Sequence, residues 1–89
     1  MVKFLTPAFS SKFKKQYKKL PKSIQLKFTK QLQLLIKDYR YPSLRTRKMA
    51  GIDRFEARID IHYRFTFEIK ETDIILRTIG PHNEGLGKN

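Results

Sequence analysis

The sequence predicts a small α+β fold, with an N-terminal strand, an antiparallel helical hairpin and then a three-stranded antiparallel meander. Three observations predict it. Residues 54–69, R-F-E-A-R-I-D-I-H-Y-R-F-T-F-E-I, alternate apolar and polar on both sides of a short break, which is the period of a hairpin with one face in a core. Between Phe9 and Tyr39 the apolar residues instead recur every third or fourth position, the spacing of helices that bury one stripe. Another apolar run, Ile74 to Ile79, follows the polar stretch Lys70-Glu71-Thr72-Asp73 and supplies the last strand.

In chain order, Val2 to Leu5 is a short apolar run expected to form the first strand, ended by Thr6-Pro7. Thr6 then suits an N-cap, with Pro7 at the first helical position, where its missing N–H costs nothing. The helix so begun is expected to reach about Lys19 and to turn Phe9, Phe13, Tyr17 and Leu20 inward. Leu20-Pro21 breaks it, and a second helix is expected from about Lys22 to Asp38, with Ile24, Phe28, Leu32, Leu35, Ile36 and Tyr39 as its stripe. So short a connection leaves only an antiparallel pairing of the two helices.

From Arg40 to Asp53 neither period holds. A loop of this length in a small domain is usually functional or held by a partner. Its Arg45, Arg47 and Lys48 could contact a phosphate backbone; a mobile, solvated connection is the alternative. In the hairpin that follows, both apolar sets are odd-numbered, so paired residue numbers must sum to an even number. A turn centred on Ile61 sets Arg58 opposite Arg64 and Glu56 opposite Thr66. Like charges so placed cost roughly 0.2–1 kcal/mol, so either nearby carboxylates neutralise the arginines or the pair receives an anion. The even positions Arg54, Glu56, Arg58, Asp60, Arg64, Thr66 and Glu68 make a charged face expected to be wet. On the last strand Ile74 and Leu76 can share the core face, and Arg77 is expected on the same side of the sheet as Arg58 and Arg64, converging with them on one phosphate. Gly80-Pro81 ends that strand and leads to His82.

A chain of 89 residues is expected to be one domain, residues 1–89, with a small core. It has no cysteine and only His62 and His82, which excludes disulfides and argues against a zinc site; no metal or cofactor is expected. No apolar run approaches the roughly 18 residues of a membrane span, and the first residues, Met-Val-Lys-Phe-Leu-Thr-Pro, lack the apolar stretch of a signal peptide. A cytoplasmic protein without membrane contact is the expectation.

The net charge is +12. It is carried almost wholly by residues 1–50, where fourteen Lys or Arg, Lys14 and Lys18 among them, face the single acid Asp38. Residues 51–89 are nearly balanced, with six basic and seven acidic side chains. The first half therefore generates a field that attracts nucleic acid or an acidic protein, while the second half has the mixed charge of a reaction site.

Cleaving RNA by attack of its own 2′-hydroxyl needs a base for that proton, cations on the phosphorane and an acid for the leaving 5′-oxygen. Glu56, Arg58, Arg64, Arg77 and His82 contain those types, since arginine grips phosphate at two points and histidine titrates near neutrality. His82 after a Gly-Pro turn is equally a surface residue, and Glu56 equally a salt-bridge partner of Arg58 or Arg64. No fixed-spacing motif decides between these readings.

The helical hairpin followed by M-A-G-I-D-R-F-E-A-R-I, H-Y-R-F-T-F-E-I and I-I-L-R-T-I-G-P-H-N-E resembles the RelE/ParE superfamily of bacterial toxin–antitoxin toxins, most specifically over Gly51 to Glu84. The resemblance implies a RelE-like fold and a toxin held inactive by an acidic antitoxin. RelE-like members cut messenger RNA on the ribosome, and ParE-like members inhibit DNA gyrase without catalysis. By this resemblance Arg64, in Tyr63-Arg64-Phe65, matches the arginine that contacts the scissile phosphate, and Arg58 a basic position on the preceding strand. His82 falls where ribonuclease members carry the acid. Glu56 stands where RelE has a second basic residue and becomes the candidate base. Arg77, Arg45, Arg47, Lys48, Lys14 and Lys18 are then expected to bind RNA or the ribosome. The tyrosine that stacks on a base near the end of RelE has no counterpart in Gly85-Leu86-Gly87-Lys88-Asn89.

Overall fold

The computed structural model describes residues 5–81. Its elements are β1 (Thr6–Phe9), α1 (Ser11–Lys18), α2 (Lys22–Lys37), a 3-10 turn (Pro42–Leu44), β2 (Arg47–Lys48), β3 (Phe55–Arg58), β4 (Tyr63–Lys70) and β5 (Asp73–Pro81). The α+β class, with a strand, two helices and an antiparallel β3–β4–β5 meander, is the one the sequence predicts. The strands form one sheet in the order β1-β5-β4-β3-β2. Among the described residues only the β1–β5 pairing is parallel. Among the described residues no helix is long and apolar enough to cross a membrane.

The first strand among the described residues, Thr6–Phe9, is not the one expected. Residues 2–4 of the predicted Val2–Leu5 strand lie outside the described residues, and Leu5 is not in a strand; its N–H donates to the Ile36 carbonyl at 3.1 Å. Thr6 and Pro7 do not begin a helix. They lie in β1, in register with Asp73 and Ile74 of β5. An edge strand tolerates proline, because the N–H it lacks need not join the ladder. The cap belongs to Ser10, whose Oγ accepts the Phe13 N–H at 3.0 Å and donates to the Arg77 carbonyl at 3.0 Å. That one hydroxyl starts α1 and ties it to β5. Past Phe9, side chains of the helix take over from β1 on the edge of β5, since Gln16 Oε1 accepts the Ile79 N–H at 2.9 Å.

The two helices run antiparallel: Phe13 meets Phe28 at 5.4 Å between ring centroids, Tyr17 meets Phe28 at 5.9 Å, and Gln25 donates to the Tyr17 carbonyl. The Phe28 ring then stands edge-on to Phe65 at 5.2 Å, and Phe65 continues to Phe67 at 5.9 Å. Phe13, Phe28, Leu35, Phe65, Phe67 and Leu76 are buried, so the core lies between the helices and the odd-numbered face of β3 and β4. Each of these side chains contributes on the order of 1.5–3 kcal/mol by leaving water.

The stretch from Arg40 to Asp53 is structured rather than a bare loop. Leu44, at the end of the 3-10 turn, is fully buried, and Arg47 and Lys48 pair with Glu56 and Phe55 of β3. At the other end of the sheet β5 carries on to Pro81. Thr66 pairs with Thr78 while Phe67 pairs with Leu76, so Arg77 is the extra residue of a β-bulge.

Candidate functional site

The hairpin register is the one parity predicts: Arg58 faces Arg64, Glu56 faces Thr66, and Ala57 and Phe65 face each other on the core side. The turn between the strands is set by Asp60. Its Oδ1 accepts the His62 and Tyr63 N–H groups at 2.8 and 2.9 Å, and its Oδ2 meets Lys27 Nζ of α2 at 3.3 Å. Burial pushes the Asp60 carboxyl up, and those hydrogen bonds with the lysine outweigh it, leaving the pKa below the ordinary aspartate value. Gln31 of α2 holds the other side by donating to the Arg58 carbonyl at 2.8 Å.

Above this frame lies a cleft of about 270 Å³ lined by Arg45, Arg47, Glu56, Ala57, Arg58 and Arg64. Its centre differs from the wet surface the alternation predicts. Glu56, Thr66 and Thr78 are buried, and the Thr66 and Thr78 hydroxyls bond each other. Long arginine side chains frame Glu56 here, and period-two patterning cannot register such cover. The Glu56 carboxylate, with 6% of its side chain exposed, meets Arg47 Nε at 3.5 Å.

Four guanidinium groups and one carboxylate therefore line a single cleft. Arg64 Nη1 donates to the Asp60 and Tyr63 carbonyls at 2.9 and 3.3 Å, which aims its head group. Burial lowers the Arg64 pKa, repulsion from Arg58 and Arg47 adds to that, and Glu56 and Asp60 partly offset it. Arginine stays charged under such pressure, so an anion seated in the cleft would relieve the repulsion that Glu56 and Asp60 leave. Arg58 Nε is buried and has no hydrogen-bond partner among the described residues, and the same is true of Thr46 Oγ1 between Arg45 and Arg47. Buried donors of this kind are normally satisfied. A phosphate is the anion that a fork of paired arginines fits best.

Arg77 belongs to a separate group. Glu68 Oε2 is shared between Arg54 Nη2 at 3.3 Å and Arg77 Nε at 3.9 Å, and neither arginine lines the cleft. The expected convergence of Arg77 with Arg58 and Arg64 is therefore not observed; the bulge and Glu68 hold it along the strand. Lys48 meets Asp53 at 3.8 Å on the outer edge, while Lys14 and Lys18 are exposed on α1. His82 lies outside the described residues. Arg45, expected only as a general RNA contact, is a cleft residue. It takes a left-handed backbone (φ 49°) at the end of the 3-10 turn, a conformation that its residue type does not signal.

The fold has counterparts among solved structures. The chain superposes on a chain of the archaeal RelE-RelB complex from Pyrococcus horikoshii OT3 with a TM-score of 0.76, at 17% identity, covering 92% of this chain and 99% of that one. The fold is that of the RelE-like toxins. The E. coli DinJ-YafQ toxin-antitoxin complex gives 0.77 at 15% identity over 93% of this chain and 98% of that chain. The RelBE2 toxin-antitoxin complex from Mycobacterium tuberculosis gives 0.74 at 19% identity over 88% and 98%. The sequence itself matches no family model and no curated protein. The RelE-like fold is thus retained where sequence identity is low, and the side chains of the cleft must be argued from this chain alone.

Proposed function

We propose that this protein is the toxin of a toxin–antitoxin pair and that it cuts messenger RNA on the ribosome. The observation that carries the reading is the facing pair Arg58 and Arg64 in a cleft that also contains the buried Glu56 carboxylate. A phosphate diester bound between the two guanidinium groups gains compensation as charge builds on the phosphorane. Glu56 takes the proton of the adjacent 2′-hydroxyl, the 2′-oxygen bonds to phosphorus, and the bond to the 5′-oxygen breaks. His82, in the segment after β5, returns a proton to that oxygen. The products are a 2′,3′-cyclic phosphate and a free 5′-hydroxyl. No step in this sequence calls for a metal.

Arg45 and Arg47 hold the neighbouring phosphate, and Arg77, Lys48, Lys14 and Lys18 lie against ribosomal RNA. Binding through so many cations falls steeply as salt rises. Several neighbours with this fold are toxin–antitoxin complexes, which supports an antitoxin as partner, and the +12 charge of this chain favours an acidic one.

Primer extension on transcripts from cells induced for native protein, Arg64→Ala and His82→Ala tests the roles. Discrete new 5′ ends are expected with native protein and not with either variant. Equal cleavage by all three overturns the assignment. DNA breaks with translation continuing, unchanged by His82→Ala, indicate the gyrase-inhibiting alternative.

A further inference from the structure

Past the ion pair of Arg47 and Glu56, the arginine cleft continues toward the turn between β2 and β3. A second hollow there, of about 380 Å³, is lined by Arg47, Lys48, Met49, Ala50 and Glu56, and it shares Arg47 and Glu56 with the cleft. Local pairing builds it. Arg47 and Lys48 are in register with Glu56 and Phe55, and the Met49 N–H donates to the Arg54 carbonyl at 2.8 Å. The chain then reverses at Gly51, whose φ of 80° lies in the left-handed region that favours glycine. Cations dominate the lining. Its one carboxylate, Glu56, is tied to Arg47 at 3.5 Å, and Lys48 meets Asp53 only at 3.8 Å between two exposed side chains, a pair too weak to neutralise the ammonium. Met49 adds a half-buried thioether.

We propose that this hollow seats the nucleobase of the nucleotide whose 2′-hydroxyl attacks, and that it prefers guanine. The inference rests on the toxin reading above and carries it from the phosphate to the base. Glu56 borders both hollows, so the ribose whose 2′-hydroxyl it deprotonates lies at their common wall. The 3′-phosphate of that ribose extends to Arg58 and Arg64 on one side, and its base to Met49 and Ala50 on the other. Arg58 and Glu56 stand two residues apart on β3, about 7 Å at the rise of a strand, which is comparable with the reach from a 3′-phosphorus to its own base. A polarizable thioether packs well on the face of an aromatic ring. Among the bases guanine presents two acceptors side by side, N7 and O6, the edge that arginine and lysine bind best, whereas adenine sets an amino donor beside N7. Lys48 thereby contacts the message as well as the outer edge where ribosomal RNA lies.

Titration of the native protein with 3′-GMP, 3′-AMP and inorganic phosphate, followed by amide chemical shifts, tests this without ribosomes. 3′-GMP is expected to bind about tenfold more tightly than either of the others. Its shifts should include Lys48, Met49 and Ala50, while phosphate shifts only the surroundings of Arg58 and Arg64. Lys48→Gln, at an exposed position, should bring 3′-GMP and 3′-AMP to within about twofold of each other, and Met49→Ala should weaken both nucleotides at least about threefold without changing phosphate binding. Equal binding of the two nucleotides by native protein, or 3′-GMP shifts that bypass residues 48–50, overturns the proposal. Phosphate binding at the arginines without a base preference strikes the second hollow alone and leaves the toxin reading intact. Failure of phosphate to bind there removes the support of that reading as well.

Discussion

The two faces of the sheet are built on opposite principles. Toward the helices, Phe65, Phe67, Ile74 and Leu76 join Phe13, Phe28 and Leu35 in one buried apolar cluster. Toward the cleft, the buried groups are Glu56, Thr66 and Thr78, and Arg58 Nε is buried without a hydrogen-bond partner among the described residues. One face holds the fold together and the other is left in electrostatic debt by it. The difference teaches where to expect a ligand: a face that stores uncompensated cations is stabilised by whatever anion it receives.

Substitutions on each face sharpen that contrast. Phe65→Ala, at the crossing of the aromatic chain, should cost about 3–5 kcal/mol in urea unfolding, because the surrounding rings cannot collapse into the space. On the cleft side Thr66→Val is nearly the same size, yet it strands the Thr78 hydroxyl in a buried position. A loss of about 1–3 kcal/mol is expected, and pairing it with Thr78→Val should recover most of that. If Thr66→Val were neutral by itself, the buried polar strip would not be part of the framework.

Asp60 joins the two faces, since it sets the hairpin turn and reaches Lys27 of α2. Its folded pKa is depressed, so the stability it contributes is present above the unfolded value of about 3.9 and is lost as pH falls through the folded value. Asp60→Asn should flatten the acid limb of the stability curve below about pH 4 while the amide oxygen still accepts the turn hydrogen bonds. Smallest of all should be Glu71→Asn in the β4–β5 turn. Glu71 has φ 55°, which asparagine tolerates better, and thermal unfolding should show a gain of about a few tenths of a kcal/mol.

The sequence made the hairpin legible because two rules coincide there. Odd-numbered apolar residues on both strands force an even pairing sum, and a short turn leaves one register, so Arg58 opposite Arg64 could be read without coordinates. The first and second strands were not legible for different reasons. Thr6-Pro7 has the chemistry of a helix start, and only the parallel pairing with β5, some 67 residues away along the chain by its Thr6 and Asp73 partners, makes it a strand. Arg47-Lys48 is too short to show any period. Arg77 keeps the sheet face that alternation predicts and misses the cleft only because the bulge and Glu68 hold it farther along the strand. Patterning records which way a side chain points and not what covers it, so it predicts a wet Glu56 where the side chain is buried. Arg45 entered the cleft through a left-handed backbone that no residue type announces.

The direct test of the central claim is the single-turnover rate of messenger RNA cleavage on purified programmed ribosomes, for native protein and for Arg58→Gln and Arg64→Gln with unfolding midpoints measured in parallel. If the facing arginines serve the scissile phosphate, each variant slows cleavage by about a hundredfold or more while remaining folded. Rates equal to native in variants that are fully folded contradict it.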